Sequence, residues 1–64
     1  MNDSKKIRVL VVEDEETFQK ILAAVLESTR RLEVYPCGSG EDAVEILKES
    51  KFDVVILDYV MPGM

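Results

Sequence analysis

The segment Val54–Met64 reads VVILDYVMPGM and is the most informative part of the sequence about the fold. Four aliphatic residues are followed at once by a carboxylate, Asp58, and then by a Pro-Gly turn. An apolar run this short predicts a fully buried strand, because a helix needs more residues and a half-exposed strand would alternate polar and apolar positions. Asp58 would then lie at the carboxyl end of a central strand, where open α/β sheets place their functional groups.

A second apolar run, Ile7–Val12, is rich in β-branched residues and predicts another buried strand. Four consecutive acidic residues follow it. Acidic residues favour the N-terminus of a helix, because they complement the helix dipole. That explanation accounts for Glu15 and Glu16, but it does not explain why Glu13 and Asp14 follow directly on a buried strand.

The segment after the acids predicts a helix from about Glu15 to about Ser28. Gln19 is expected on its polar side, and Arg30 and Arg31 suit its carboxyl end. The apolar residues recur with the 3.6-residue helical period. They are Phe18, Ile21, Leu22, Val25 and Leu26.

The segment Leu32–Cys37 alternates apolar and polar residues and contains Pro36, which predicts an edge strand. Ser39, with Asp42 three residues later, forms a capping-box pattern. That pattern predicts a second helix beginning at about residue 40 or 41 and ending at about Glu49. Its apolar stripe is Ala43, Val44, Ile46 and Leu47.

The order of elements is therefore strand, helix, strand, helix, strand, in one unit over residues 1–64. Such alternation predicts an α/β fold whose parallel strands are joined by right-handed crossovers. The two continuous apolar strands should be neighbours, which gives a parallel sheet of order 2-1-3. The carboxyl ends of neighbouring parallel strands meet at one edge, so Glu13, Asp14 and Asp58 should converge.

Converging carboxylates repel one another unless a cation lies between them. Mg²⁺ prefers oxygen ligands and typically uses one or two protein carboxylates, so it suits this set. A strand-end aspartate beside such a metal can act as a nucleophile toward a phosphoryl group. The alternative is that these acids are solvated loop residues without any ligand.

Composition excludes several other classes of function. The net charge of −5 argues against nucleic-acid binding, and no apolar run is long enough to span a membrane or to act as a signal peptide. The expected location is the cytoplasm. The absence of histidine excludes Ser-His and Cys-His catalysis within the chain. Cys37, the single cysteine, is interpreted as a small strand-end residue in a reducing compartment, with an interchain disulfide as the alternative.

Two segments, Val9–Glu15 and Leu57–Met64, resemble the signature segments of bacterial response-regulator receiver domains, which are CheY-like. The resemblance covers essentially the whole chain. It implies that Asp58 is the phosphoacceptor and that Asp14 is a direct Mg²⁺ ligand. It further implies that Glu13 contributes through water and that the backbone carbonyl of Val60 supplies another ligand.

The partner implied by this resemblance is a sensor histidine kinase or a phosphotransfer protein, with a small phosphodonor as another source. A receiver module accepts a phosphoryl group, and we predict that the chain is not an enzyme. A haloacid-dehalogenase-like phosphatase also uses a strand-end aspartate. Its pattern requires a second aspartate two residues on, where this chain has Val60.

The chain resembles only the N-terminal half of a receiver domain, that is, half of a flavodoxin-like or CheY-like doubly wound fold. The Ser or Thr and the Lys that complete the family's switch lie beyond the third strand, so switching is expected to be deficient. The strand Val54–Leu57 would become an apolar edge, which favours self-association into a homo-oligomer. The alternative function is therefore a self-assembling half-domain fragment without phosphotransfer activity.

Overall fold

The computed structural model describes residues 5–57, which form a three-stranded parallel sheet with two helices. The sheet order is β2-β1-β3, with β1 in the centre. The predicted order of elements and the predicted 2-1-3 sheet are therefore confirmed. The elements are β1 (Ile7–Val12), α1 (Glu16–Glu27), β2 (Leu32–Cys37), α2 (Gly40–Glu49) and β3 (Val54–Leu57).

The register of the sheet brings the carboxyl ends of all three strands to one edge. Val12, the last residue of β1, pairs with Cys37 on one side and with Leu57 on the other. Each of these residues is also the last residue of its own strand. Whatever follows each strand therefore begins at the same edge of the sheet.

The central strand β1 separates two apolar layers. Val9 and Val11 face one side, where they pack with Val34 and with residues of α1. Leu10 and Val12 face the other side, where residues of α2 cover them. Because both of its faces are covered, β1 needs apolar residues at every position, and this explains its continuous apolar run.

The helix α1 occupies nearly the predicted range, but its apolar stripe does not form a single core face. Leu22 and Leu26 pack against the sheet, whereas Phe18, Ile21 and Val25 are 42%, 54% and 60% exposed. The division arises because α1 lies mainly over β2 and makes less contact with β1, so only one side of its stripe meets the sheet. The predicted stripe is therefore divided in the structure, with two of its residues against the sheet and three exposed.

The carboxyl end of α1 also differs from the expectation. No basic residue lies in its last turn, because the helix ends at Glu27, before both arginines. Arg30 instead adopts a left-handed conformation with φ of 65° and donates its backbone N–H to the carbonyl of Glu27 at 3.0 Å. Arg30 thus helps to end the helix through its backbone rather than by complementing the dipole.

The helix α2 begins as predicted. The hydroxyl of Ser39 accepts a hydrogen bond from the backbone N–H of Asp42 at 3.0 Å, which is the expected capping contact. Ala43 is buried in the core, but Val44 and Leu47 are 54% and 42% exposed. As in α1, only part of the predicted apolar stripe meets the sheet.

The strand β3 is the exposed edge of the sheet. Among residues 5–57 it pairs with β1 alone, and Val54, Val55 and Leu57 are 44%, 42% and 70% exposed. Ile56 is its half-buried member, packed on the α1 side. The prediction that Val54–Leu57 is fully buried is therefore wrong, because neither helix makes extensive contact with β3, and among the described residues this strand is the expected apolar edge.

Candidate functional site

The site begins at the carboxyl end of β1, where Glu13 continues the sheet by one residue. The backbone N–H of Glu13 donates to the carbonyl of Cys37 at 3.0 Å, so the ladder with β2 extends past Val12. The residue is only 3% exposed. Among residues 5–57, Glu13 is thus the one acidic residue that is buried.

The two carboxylate oxygens of Glu13 have different environments. Oε2 accepts a hydrogen bond from the backbone N–H of Glu15 at 2.8 Å. Oε1 is buried and has no hydrogen-bond partner among residues 5–57. A buried carboxylate oxygen without a donor is costly, so this atom requires a positive or proton-donating group from elsewhere.

The four consecutive acids have four different roles in the structure. Glu13 is buried, whereas the next residue, Asp14, is exposed. Glu15 caps α1, because its Oε1 accepts from the backbone N–H of Phe18 at 2.8 Å. Glu16 lies on the surface of α1, where an oxygen of its carboxylate is 3.7 Å from the ammonium of Lys20. The helix-start explanation therefore holds for Glu15 and Glu16, and Glu13 and Asp14 remain as the site candidates.

Gln19 contributes a hydrogen bond to the candidate site, and the sequence pattern did not predict this contact. Its Nε2 donates to the backbone carbonyl of Glu13 at 3.0 Å, and the side chain is half-buried. The prediction placed Gln19 on the polar side of α1, facing away from the sheet. The contact with Glu13 arises because the first turns of α1 lie beside the end of β1, a placement that helical periodicity alone does not define.

Asp58 and Val60, the other predicted site residues, lie outside the described residues. Within residues 5–57, no group of three or more histidine, cysteine, aspartate or glutamate side chains is arranged to hold a metal ion. What those residues do establish is the pairing of Val12 with Leu57. Glu13 and Asp58 are the residues that follow this pair in the sequence.

The residues present fit a hard divalent cation. Glu13 offers a buried carboxylate oxygen without a donor in the described chain, and Asp14 offers an exposed carboxylate directly beside it in the sequence. Mg²⁺ takes one or two carboxylates and keeps several waters, so a partly open set of oxygens suits it. These two residues could therefore contribute to a Mg²⁺ site at this edge.

Cys37 lies at the same edge, at the end of β2. Burial raises the pKa of its thiol above the ordinary value of 9.0. Its Sγ donates a weak hydrogen bond to the backbone carbonyl of Ser39 at 3.7 Å. A buried thiol with a raised pKa is a poor nucleophile. These features agree with the interpretation of Cys37 as a small strand-end residue.

The family model of the response regulator receiver domain matches residues 9–64 of this chain. The match begins within β1 and includes both acidic positions and Asp58. The chain therefore belongs to the response regulator receiver domain family, as its two signature segments predicted. The parallel β-α-β-α-β arrangement is consistent with part of a CheY-like α/β fold.

Curated relatives support this assignment. The chain is 43% identical over 63 residues to the protein-glutamate methylesterase/protein-glutamine glutaminase of Pyrococcus abyssi, covering 94% of this chain and 17% of that protein. It is 47% identical over 60 residues to the two-component response regulator ORR26 of Oryza sativa subsp. japonica, covering 91% and 10%. It is 43% identical over 60 residues to the two-component response regulator ARR11 of Arabidopsis thaliana, covering 91% and 11%.

The chain spans between 10% and 17% of the length of these relatives. The methylesterase and glutaminase activities in the name of the Pyrococcus abyssi relative are therefore said of that protein alone. No solved structure gives a significant match to the chain. In the part of the chain that the structure describes, neither helix is long and apolar enough to cross a membrane.

Proposed function

We propose that residues 1–64 act as one phosphoacceptor module of a two-component phosphorelay, in which Asp58 accepts the phosphoryl group. The observation that carries this proposal is the register of β1 and β3. Val12 pairs with Leu57, so the buried carboxylate of Glu13 and the residue after Leu57 follow neighbouring strands at one edge. Membership of the receiver family supports the same assignment.

In the proposed transfer, a carboxylate oxygen of Asp58 attacks the phosphorus of a phosphohistidine. The new O–P bond forms as the P–N bond breaks, and the imidazole nitrogen leaves with the electron pair. Mg²⁺, when bound, would supply positive charge that offsets the repulsion between the carboxylates and the phosphoryl oxygens. Glu13, Asp14, Asp58 and the backbone carbonyl of Val60 are the groups we assign to hold it.

The proposed donor is a sensor histidine kinase or a phosphotransfer protein, with a small phosphodonor such as acetyl phosphate as a substitute. The names of two relatives, both two-component response regulators, support a donor of this class. We place the module in the cytoplasm, where a free thiol such as that of Cys37 stays reduced. The family match favours this function over the phosphatase alternative.

The test is phosphorylation of the 64-residue chain by acetyl phosphate in the presence of Mg²⁺, measured by intact mass. We expect one phosphoryl adduct on the wild type and none on Asp58→Asn. Glu45→Gln is the matched control, because it removes one charge from an exposed carboxylate whose contact is with Lys48 on the same helix. Equal labelling of wild type and Asp58→Asn would refute the proposed acceptor.

The second candidate is self-association through β3, and its supporting observation is the exposure of Val54, Val55 and Leu57 at an edge of the sheet. An apolar edge with unpaired backbone groups is a template for pairing with another chain. Two copies related by a two-fold axis would pair their β3 strands antiparallel and join two three-stranded sheets into one.

Light scattering tests the second candidate. We expect a dimer for the wild type and a monomer for Val55→Lys, which places a charge on the proposed edge. A wild type that remains monomeric at high protein concentration would refute self-association. Dimer formation without phosphoryl labelling would favour the structural candidate over the phosphoacceptor function.

A further inference from the structure

The four residues of β3 do not by themselves specify how β3 aligns with β1. Val54, Val55, Ile56 and Leu57 are all aliphatic, so a slip by one residue would exchange the two faces without placing a polar group in the core. Register is weakly specified in strands that are alike on both faces. Backbone ladder bonds do not resolve this, because each residue offers the same donor and acceptor.

Residue-specific contacts occur instead at the opposite end of the sheet, where Arg8 contacts the connection that precedes β3. The backbone N–H of Arg8 donates to Oδ2 of Asp53 at 2.8 Å, and its Nη1 donates to the carbonyl of Lys51 at 2.7 Å. The guanidinium also lies over the ring of Phe52, 4.7 Å from its centroid. One residue thus engages three successive residues, and we call these four residues the Arg8 clamp.

The guanidinium of Arg8 is itself held by β2. Its Nε is 3.7 Å from a carboxylate oxygen of Glu33, and its Cζ is 5.0 Å from the centroid of Tyr35. Tyr35 meets the ring of Phe52 edge-on at 5.3 Å and donates its hydroxyl to Glu33 at 2.8 Å. The position of Arg8 is therefore defined by the neighbouring strand, so the side chain can serve as a fixed reference for β3.

We propose that Arg8 is a positioning residue whose clamp sets the register of β3 against β1, and thereby aligns the end of β3 with Glu13. This inference rests on the proposed function for the importance of that alignment. The clamp acts from roughly 16 Å away, the length of five residues of strand. A slip by one residue would displace Leu57 by roughly 3.3 Å along β1 and turn its side chain to the other face of the sheet.

The direct test is NMR of Arg8→Met, a variant that keeps an unbranched apolar side chain beside the aromatic rings and removes the guanidinium. In the observed register Val11 pairs with Ile56, and both face α1, so a methyl NOE between them reports the alignment. We expect Arg8→Met to lose this NOE and to gain one between Val11 and another residue of β3. A wild-type NOE pattern in Arg8→Met would overturn the proposal.

The second measurement is Mg²⁺ affinity, determined by titration of the same samples. If nine-tenths of the molecules slip, the apparent affinity falls about ten-fold, because only the aligned fraction binds well. Lys20→Met is the matched control: it removes the same charge, but its partner is Glu16 on the surface of α1. We expect Lys20→Met to keep the wild-type NOE and affinity. A slipped register with unchanged affinity, or a weakened affinity with unchanged register, would overturn the link between the clamp and Glu13.

Arg8→Lys provides a rescue variant, because it returns a cation to the space between the rings and should restore the Val11–Ile56 NOE in most molecules. Where Arg8→Met does not fold, Arg8→Leu is measured instead, because it also removes the guanidinium contacts with Lys51 and the rings, and full retention of the native NOE there would overturn the proposal. Absence of Mg²⁺ binding by the wild type would refute the proposed function, whereas the NOEs would still decide whether Arg8 sets the register.

Discussion

We expect Glu13→Gln to be more stable than the wild type without Mg²⁺ and less stable than the wild type when Mg²⁺ is added. Glu13 is 3% exposed, and its Oε1 has no hydrogen-bond partner among residues 5–57. Without metal, the negative charge on this buried atom is a cost that glutamine avoids. With Mg²⁺ bound, the same charge becomes favourable, because the cation interacts with the carboxylate and much less with a neutral amide.

The expected difference in stability between Glu13→Gln and the wild type is worked out separately for metal-free buffer and for saturating Mg²⁺. Leaving a buried polar group unpaired costs about 1–3 kcal/mol, and more for a charged group. The glutamine amide is itself left partly unpaired, so we expect Glu13→Gln to gain about 1 kcal/mol of stability in metal-free buffer. A ligand at about 100 times its Kd stabilises the folded state by about 2.7 kcal/mol. The wild type should therefore become the more stable protein in saturating Mg²⁺.

Thermal unfolding followed by circular dichroism, with EDTA or with Mg²⁺, measures this crossover. A difference of 1 kcal/mol shifts the melting temperature by about 4–8 °C for a domain of 60–100 residues. Glu16→Gln is the control, because this residue is exposed and pairs only with Lys20 among the described residues. Its melting temperature should follow that of the wild type in both buffers, within the small energy of a surface ion pair.

Two outcomes would contradict a role for Glu13 in binding Mg²⁺. If Glu13→Gln is less stable than the wild type in EDTA, then the buried carboxylate already has an adequate partner and creates no demand for a cation. If Mg²⁺ raises the melting temperatures of wild type and variant equally, then the metal binds without Glu13. Either result would remove Glu13 from the proposed Mg²⁺ site.

Three further predictions concern the core, a helix cap and pH. Leu10→Ala should destabilise the fold by about 2–5 kcal/mol, because Leu10 is fully buried, and urea denaturation against the exposed control Ile21→Ala measures the difference. Ser39→Ala should cost about 1 kcal/mol through the lost cap of α2, whereas Ser39→Asp should retain the stability of the wild type in the same assay. The raised pKa of Cys37 means that the unfolded chain loses this proton before the folded chain does, so stability should fall as pH rises above about 9, and Cys37→Ala should flatten that fall in melting curves. An unchanged slope in Cys37→Ala would assign the pH dependence to other groups.

The sequence determined the order of elements and the order of the sheet. Short apolar runs, helical periodicity and the Ser39 cap are local patterns, and local patterns define element type reliably. The continuous run Ile7–Val12 also indicated a strand covered on both faces, which β1 proves to be. Because parallel neighbours end at one edge, these patterns were sufficient to identify Glu13 and Asp14 as site candidates.

Tertiary structure alone decided which apolar residues enter the core and what each acid does. Periodicity marks Phe18 and Leu22 alike, yet only Leu22 meets the sheet, because the lateral placement of α1 over β1 and β2 is not encoded within the helix. The adjacent acids Glu13 and Asp14 are likewise indistinguishable by charge, but the extended ladder with Cys37 buries one and leaves the other exposed. The contacts of Gln19 with Glu13, and of Arg8 with residues 51–53, join different parts of the fold, and no local sequence pattern predicts them. Such contacts depend on how whole elements pack, and only the folded chain brings them together.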